Sequence, residues 1–137
     1  MQERVRAIID GQPFMQTLGV TLERVGQGEV ELRLPCTASL QQHTGALHAG
    51  AVTAVVDTAC GCAAATLMPD DREVVSVEFK INLLAPAIGD HLRATAKVLR
   101  AGRTLTVCSG EVWAISGDRS TLVAVMQATM MAVTRRG

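Results

Sequence analysis

Along most of the chain, apolar and polar residues alternate with a period of two, which is typical of β-strands that bury one face. Apolar residues take every second position in 18–22 and again in 30–34, and the Gly26-Gln27-Gly28 turn separates these two runs. This arrangement predicts a hairpin with one dry face. Further strand-like runs follow at about residues 75–83, 91–99, 104–115 and 121–133.

Two segments have helical spacing instead. Val5, Ile8 and Ile9 form one apolar stripe, which predicts a short N-terminal helix at about residues 2–10. A long run of small apolar residues predicts a central helix at about residues 49–67. We therefore expect an α+β domain in which an antiparallel sheet of about five to six strands curls around the central helix. The length favours a single domain that spans residues 1–137.

The residues of the central helix fall on two faces when they are sorted by their angular position around the helix axis. Spacings of three and four residues connect the positions expected to pack on the sheet, which are Val52, Val55, Val56, Ala59 and Ala63. A second stripe contains Asp57 among small residues, namely Gly50, Thr53, Ala54, Gly61 and Ala64. Asp57 is therefore expected to face a shallow trough. It is either a structural carboxylate satisfied by hydrogen bonds, or a general base or nucleophile that faces a cleft.

The start of this helix is a second candidate. Backbone N–H groups there lack intrahelical partners and carry partial positive charge, so the region of His48 and Ala49 suits a developing oxyanion. His48 is alternatively a loop histidine that caps or packs. The step from Ala49 to Asp57 spans about 12 Å, which is too far for both to contact one carbonyl carbon. If both act on one substrate, they come from different subunits, which predicts a homodimer with two interfacial sites.

Composition narrows the possible functions. Thirteen basic and thirteen acidic residues cancel, and only three residues are aromatic, so the chain has neither the charge nor the stacking platform of a nucleic-acid-binding protein. The charged N-terminus has no signal-peptide pattern, and Asp57 interrupts the one long apolar run, which predicts a cytoplasmic protein without a membrane span. Cys60 and Cys62 point in different directions on a helix, so we expect no metal site there.

The stretch from Gln42 to Asp57 reads Gln-x-x-Gly-x-x-His-Ala-Gly, with Asp seven residues after the last glycine. This pattern resembles the signature of hotdog-fold acyl-CoA thioesterases of the phenylacetic-acid-degradation type, and the similarity continues through 13–35 and 74–105. The resemblance implies a hotdog fold, dimers paired into tetramers, and hydrolysis of acyl-CoA thioesters without a cofactor.

The resemblance also implies roles for single residues. Asp57 matches the catalytic carboxylate, which activates water or attacks the thioester carbonyl. The backbone N–H of Ala49 matches the oxyanion donor, and His48 shapes that turn. Gln42 matches an amide residue near the carbonyl or the attacking water. Ser76 matches a hydroxyl that positions the water in some relatives, although strand alternation predicts that it lies on the polar face of its strand.

The family's coenzyme A contacts map onto two further segments. They are the segment after the third strand, with Leu84, Ala85 and Pro86, and the following hairpin, with Arg100, Ala101, Gly102, Arg103 and Thr104. The two arginines offer charge to phosphates. They are equally well explained as solvated charges at a hairpin tip.

The sequence departs from the family pattern at two positions. Ala49 adds a methyl group where glycine is usual, which keeps the N–H but narrows the space beside the thioester. Gly61 stands where some relatives carry Ser or Thr, one helical turn after the carboxylate, and Ser76 is the residue that could compensate.

Two other functions are compatible with this fold. A non-catalytic acyl-CoA-binding or sensing module is the main alternative, but binding alone does not require a carboxylate in the trough. A hotdog enoyl-CoA hydratase is disfavoured because its Asp and His lie close together in one loop. The sequence does not distinguish between an aryl and a medium-chain aliphatic acyl group in the substrate. An adaptable apolar pocket is expected from the methionines, which are Met15, Met68, Met126, Met130 and Met131.

Overall fold

The computed structural model describes residues 1–135 and consists of one antiparallel sheet and three α-helices. The sheet has six strands in the order β1-β2-β4-β5-β6-β3. This architecture confirms the predicted α+β class. The elements are α1 (Gln2–Asp10), α2 (Pro13–Leu18), β1 (Thr21–Gly26), β2 (Glu29–Pro35), a 3₁₀ turn (Ala38–Leu40), α3 (Ala49–Ala65), β3 (Arg72–Leu83), β4 (His91–Ala101), β5 (Leu105–Ser116) and β6 (Arg119–Thr134).

The first hairpin begins later than its alternation predicts. Leu18 ends the short helix α2, and Gly19 follows in a left-handed conformation at φ 78°, so the strand starts only at Thr21. Pro13 begins that helix, because proline at the first helical position needs no backbone N–H. The predicted turn is present, and Gly28 supplies its positive φ.

Helix α3 lies across the inner face of the sheet and packs against β2, β3, β4, β5 and β6. The predicted sheet-facing residues are confirmed, since all of them are buried: Val52, Val55, Val56, Ala59 and Ala63. The expected trough along α3 is shorter than the angular positions of its residues around the helix axis predict. Ala64 was wrongly placed in it and is fully buried, because neighbouring elements cover the end of the helix, where Thr66 accepts a hydrogen bond from the backbone N–H of Gly28.

Helix α3 approaches the sheet closely at Gly110 of β5. A Cβ atom at this position would lie 2.5 Å from Val56 Cγ2 and 3.1 Å from Cys60 Sγ. Both neighbours are fully buried, and the branched valine has few alternative rotamers. A glycine is therefore required here for α3 to lie at its observed distance from the strands.

An arginine fastens α1 beside α3. The largely buried Arg4 guanidinium donates to the backbone carbonyls of Met68 and Pro69, in the turn between α3 and β3, at 2.6 and 3.1 Å. It also donates to the carbonyl of Arg72, the first residue of β3, at 2.8 Å. Val5 and Ile9 bury the inner side of the same helix in the core. These contacts hold α1 over the second half of α3.

The structure adds two observations on other classes of site. Within residues 1–135, no helix is both long enough and apolar enough to cross a membrane. The same residues contain no group of three His, Cys, Asp or Glu side chains arranged to hold a metal ion.

Replacing Gly110 with alanine tests the close approach. We expect Gly110→Ala to lower the free energy of unfolding by about 1–3 kcal/mol, because an added methyl group overpacks a rigid core contact. Urea denaturation measures this loss. The matched control is Gly61→Ala in α3, where the nearest atom to an added Cβ is 4.0 Å away and alanine favours the helix. Equal stability of Gly110→Ala and the unmodified protein would contradict the packing argument.

Candidate active site

Asp57 lies half-buried in the middle of α3 and is held by one hydrogen bond. Ser76 Oγ on β3 donates to Asp57 Oδ1 at 2.8 Å, and the same hydroxyl lies 3.4 Å from the sulfur of buried Met130. Within residues 1–135, Asp57 accepts no other hydrogen bond and has no basic group within 4 Å. Its second oxygen is therefore free to take a proton or to attack an electrophile.

A β-bulge explains why Ser76 faces the helix. The pairing of β3 with β6 shifts between Ser76 and Glu78, which leaves Val77 as an extra residue. The extra residue reverses the alternation of side chains along the strand. The prediction that Ser76 shares the polar face of Glu78 and Lys80 was therefore wrong, because it assumed an uninterrupted strand.

The start of α3 is capped by its own histidine. His48 Nδ1 accepts a hydrogen bond from the backbone N–H of Gly50 at 2.7 Å, which makes His48 the N-cap. The backbone N–H of Ala49 donates to no acceptor within residues 1–135. The helix start therefore presents one uncommitted N–H with the partial positive charge of a helix N-terminus.

Two other predicted segments lie beside this helix start. Leu47 donates its backbone N–H to Ala87 O at 3.0 Å, which brings the neighbouring segment Leu84–Pro86 next to the helix start. The half-buried Gln42 lies in the loop that leads to the helix, where its backbone N–H donates to Ala46 O at 2.9 Å. We call Gln42, His48, Ala49 and Leu84–Pro86 the helix-start group.

The predicted hairpin segment Arg100–Thr104 lies at the other end of the sheet. Leu105, which follows it, is level with Met131 of β6, and Met131 is level with Val75 of β3. The exposed hairpin tip is thus at the same end of the sheet as Ser76 and Asp57. We call Asp57, Ser76 and Arg100–Thr104 the carboxylate group. Leu83, which leads into the helix-start group, lies seven residues beyond Ser76 on β3, a distance of about 23 Å along the strand.

Within one chain, the predicted site residues therefore form two groups, which lie at opposite ends of the sheet. Asp57 and Ser76 are in contact, and His48, Ala49 and Leu84–Pro86 are neighbours, but the two groups do not meet within the chain. This separation agrees with the distance argued along α3 from the sequence.

A cleft of about 550 Å³ opens beside Asp57, between α1, α3 and the start of β3. Its lining includes several residues that sequence reasoning missed, among them Ile8, Gln12, Thr58, Cys62 and Arg72. Helical spacing alone could have suggested Thr58, next to the carboxylate. The others line the cleft only because α1 folds back over α3, which no local pattern indicates.

The thiol in this cleft is not a nucleophile at neutral pH. Burial raises the pKa of Cys62 to about 12, so its thiol stays protonated. Burial likewise raises the pKa of Cys108, to about 11, and that of Cys60 well above its usual range. Two carboxylates line the cleft, and Glu73 is paired with Arg135, which leaves Asp57 as the candidate for proton transfer or covalent attack.

The chain is similar to known proteins in both sequence and structure. The model of the thioesterase superfamily matches residues 44–121, which include the start of α3, Asp57 and Ser76. A thioesterase family protein from Silicibacter pomeroyi is 41% identical, and its crystal structure superposes with a TM-score of 0.95 over 98% of both chains. A conserved protein from Pseudomonas aeruginosa is 33% identical, with a TM-score of 0.81 over 89% of this chain and 94% of that chain.

Two further proteins extend the comparison. A Halobacterium salinarum protein, provisionally named an esterase, is 32% identical over 108 residues, which are 75% of this chain and 71% of the relative. The PaaI protein from the phenylacetic acid degradation operon of E. coli shares the fold, with 21% identity and a TM-score of 0.86 over 96% of this chain and 92% of that chain. The sheet and central helix match the structure of the Silicibacter pomeroyi thioesterase family protein, which confirms the predicted hotdog fold.

Proposed function

Because the chain belongs to the thioesterase superfamily, we propose that it hydrolyses acyl-CoA thioesters to a free acid and coenzyme A. Thioester hydrolysis is the chemistry of that family, and the acyl-CoA substrate and the residue roles are our inference. The observation that carries the proposal is Asp57, whose carboxylate lies at a cleft with one oxygen held by Ser76 and the other free.

Asp57 supplies the reactive oxygen in the proposed mechanism. The hydrogen bond from Ser76 fixes the carboxylate, so Ser76 is a positioning residue. The free oxygen either takes a proton from an attacking water or attacks the thioester carbonyl directly, in which case water hydrolyses the resulting anhydride. In both routes, the carbonyl carbon becomes tetrahedral and its oxygen gains negative charge.

The backbone N–H of Ala49 stabilises that charge. It has no acceptor within residues 1–135, and the helix dipole favours an anion beside it. When the tetrahedral intermediate collapses, the C–S bond breaks and coenzyme A leaves as a thiolate, which takes a proton from Asp57 in the water route and from solvent in the anhydride route. Leu84–Pro86 and the hairpin Arg100–Thr104 are the proposed coenzyme A contacts, with Arg100 and Arg103 facing its phosphates.

A homodimer would bring the two groups together. Strand β3 lies at an edge of the sheet and exposes several large apolar side chains, namely Val75, Val77, Phe79 and Leu83. A long apolar edge strand is a template for pairing with another chain, which would also cover its exposed apolar side chains. If two β3 strands pair antiparallel about a two-fold axis, the Ser76 end of one lies near the Leu83 end of the other.

Each of the two sites in such a dimer combines one helix-start group with the carboxylate group of the partner. The substrate carbonyl then lies between Ala49 of one chain and Asp57 of the other, which one chain cannot achieve because these residues are about 12 Å apart along α3. We further propose that dimers pair into tetramers, as the family resemblance implies.

The first test removes the charge of Asp57. Asp57→Asn retains the shape of the side chain, and we expect kcat on hexanoyl-CoA to fall by at least about 10²-fold, the typical contribution of a general base. Release of the coenzyme A thiol is followed with a thiol-reactive dye. Glu78→Gln is the matched control, because it removes a carboxylate from the outer face of β3, the strand that also carries Ser76. A folded Asp57→Asn protein that retains its turnover would remove Asp57 from the mechanism.

The oxyanion donor can be deleted without deleting the helix. Ala49 is the first residue of α3, where proline is well tolerated, and His48 already has the extended conformation that precedes proline. We expect Ala49→Pro to lower kcat by about 10²- to 10³-fold with little change in melting temperature. Ala49→Gly keeps the N–H and serves as the control. If Ala49→Pro and Ala49→Gly have the same turnover, this N–H does not stabilise the transition state.

Mixing the two inactive variants tests whether the site is shared. After random exchange of subunits, half of the Asp57→Asn and Ala49→Pro chains form mixed dimers, and each mixed dimer has one intact site if the groups come from different chains. We therefore expect recovery of about a quarter of the unmodified activity, measured by thiol release. A site within one chain would give no recovery.

The binding-module alternative has a distinct signature. Saturable binding of acyl-CoA without thiol release across a panel of acyl-CoA substrates would favour it over hydrolysis.

A further inference from the structure

The cleft beside Asp57 continues as a trench between α3 and β3. Asp57, Gly61 and Ala65 follow one another at intervals of four on α3, and Ser76, Val74 and Arg72 follow at intervals of two on β3 in the opposite direction. Four helical residues advance about 6 Å and two strand residues about 6.6 Å, so the two rows stay in step.

The middle of this trench is open because Gly61 has no side chain. A Cβ built on Gly61 would meet only Val74 Cγ1 within 4 Å, at 4.0 Å, so the helix leaves free space in front of that valine. Ala65 and Cys62 form a buried apolar base, and α1 contributes Ala7 and Ile8 to the opposite wall. The trench thus suits a slender chain that leaves the carboxylate and runs toward Arg72.

Arg72 gives the far end of the trench a positive charge that has no ion-pair partner among residues 1–135. Its Nη1 donates to Thr134 Oγ1 at 3.0 Å, and no Asp or Glu within residues 1–135 lies within 4 Å of the guanidinium. A guanidinium has five N–H donors, so several of them stay available to a ligand.

The two other arginines around the trench are already engaged. Arg4 donates to backbone carbonyls and lies 3.7 Å from Asp70, whereas Arg135 pairs with Glu73 at 2.9 Å. Arg72 is therefore the cationic side chain that an anion in this part of the cleft would meet.

We propose, building on the proposed hydrolase function, that Arg72 binds an anionic group at the end of the acyl chain. The preferred substrates are then ω-carboxyacyl thioesters, in which the acyl chain runs along the trench between the thioester carbonyl at Asp57 and a terminal carboxylate at Arg72. The row from Asp57 to Ala65 on α3 spans about 12 Å, and an extended acyl chain advances about 1.1–1.2 Å per bond. Because the side chains of Asp57 and Arg72 shorten the distance from both ends, acyl groups of medium length fit between them.

We assign the anion at Arg72 to the end of the acyl chain and not to a phosphate of coenzyme A. The trench starts at the carboxylate that acts on the carbonyl, and its base beyond that point is apolar, formed by Cys62 and Ala65. The residues proposed for coenzyme A, Leu84–Pro86 and Arg100–Thr104, do not line this cleft. A bidentate contact between a guanidinium and a carboxylate also matches in geometry and charge.

The test compares substrates of equal length with and without a terminal carboxylate, namely adipyl-CoA against hexanoyl-CoA and suberyl-CoA against octanoyl-CoA. We expect the unmodified protein to prefer the carboxyacyl member of at least one pair by about ten- to a hundredfold in kcat/KM, the range for hydrogen bonds between charged groups. Arg72→Gln should abolish this preference and Arg72→Lys should keep part of it, since lysine retains the charge without the planar fork.

The control and the contrary outcomes separate this inference from the proposed reaction. Arg6→Gln removes the same charge from an exposed position of α1 and should keep the substrate ratio. Hydrolysis of hexanoyl-CoA with no preference for adipyl-CoA or suberyl-CoA would overturn the role of Arg72 and leave the hydrolase function standing. An equal loss for both members of a pair in Arg72→Gln, with a higher KM, would assign the guanidinium to a coenzyme A phosphate and overturn the acyl assignment.

Binding provides a readout that does not depend on turnover. Calorimetric titration of Asp57→Asn protein with adipyl-CoA and hexanoyl-CoA should give the same preference, and the added change Arg72→Gln should remove it. Melting temperatures of the Arg72 variants verify that they fold. Equal affinities for the two ligands in folded Asp57→Asn protein would contradict the proposal even if no hydrolysis is seen.

Discussion

The architecture depends on how closely α3 can approach the sheet. At Gly110 the helix side chains of Val56 and Cys60 occupy space that any other residue would fill with its own Cβ. The rest of the contact face of α3 is mostly alanine and valine, so the strands can close around the helix at short distance. Because this position of the helix is set by packing in a dense core, the groups on its outer stripe are held with little freedom.

That placement determines what Asp57 can touch. The carboxylate projects from the middle of α3 toward the start of β3, and a one-residue bulge in β3 turns Ser76 to meet it. Beyond this contact, Gly61 keeps the space between helix and strand open, and Arg4 holds α1 across it. The cleft is therefore a product of three elements from distant parts of the chain.

The rigid helix also keeps the two chemical groups apart. A carboxylate that delivers or accepts a proton and an N–H that stabilises an oxyanion must act on the same carbonyl, yet Ala49 and Asp57 are about 12 Å apart on one helix. Association of two chains through the apolar edge strand β3 offers a solution, because antiparallel pairing exchanges the ends of the strands. Under this proposal, the oligomer is a requirement of the chemistry and not only of stability.

The sequence by itself determined the α+β class, the position of the central helix and its sheet-facing residues, since these follow from the local period of apolar residues. It also singled out Asp57 and the helix start, through one charge in an apolar stripe and the similarity of 42–57 to a family signature. The direction of Ser76, the burial of Ala64 and the trench that ends at Arg72 were decided only in the tertiary structure. A bulge, a covering element and a folded-back helix are set by contacts between distant segments, and local periodicity carries no information about such contacts.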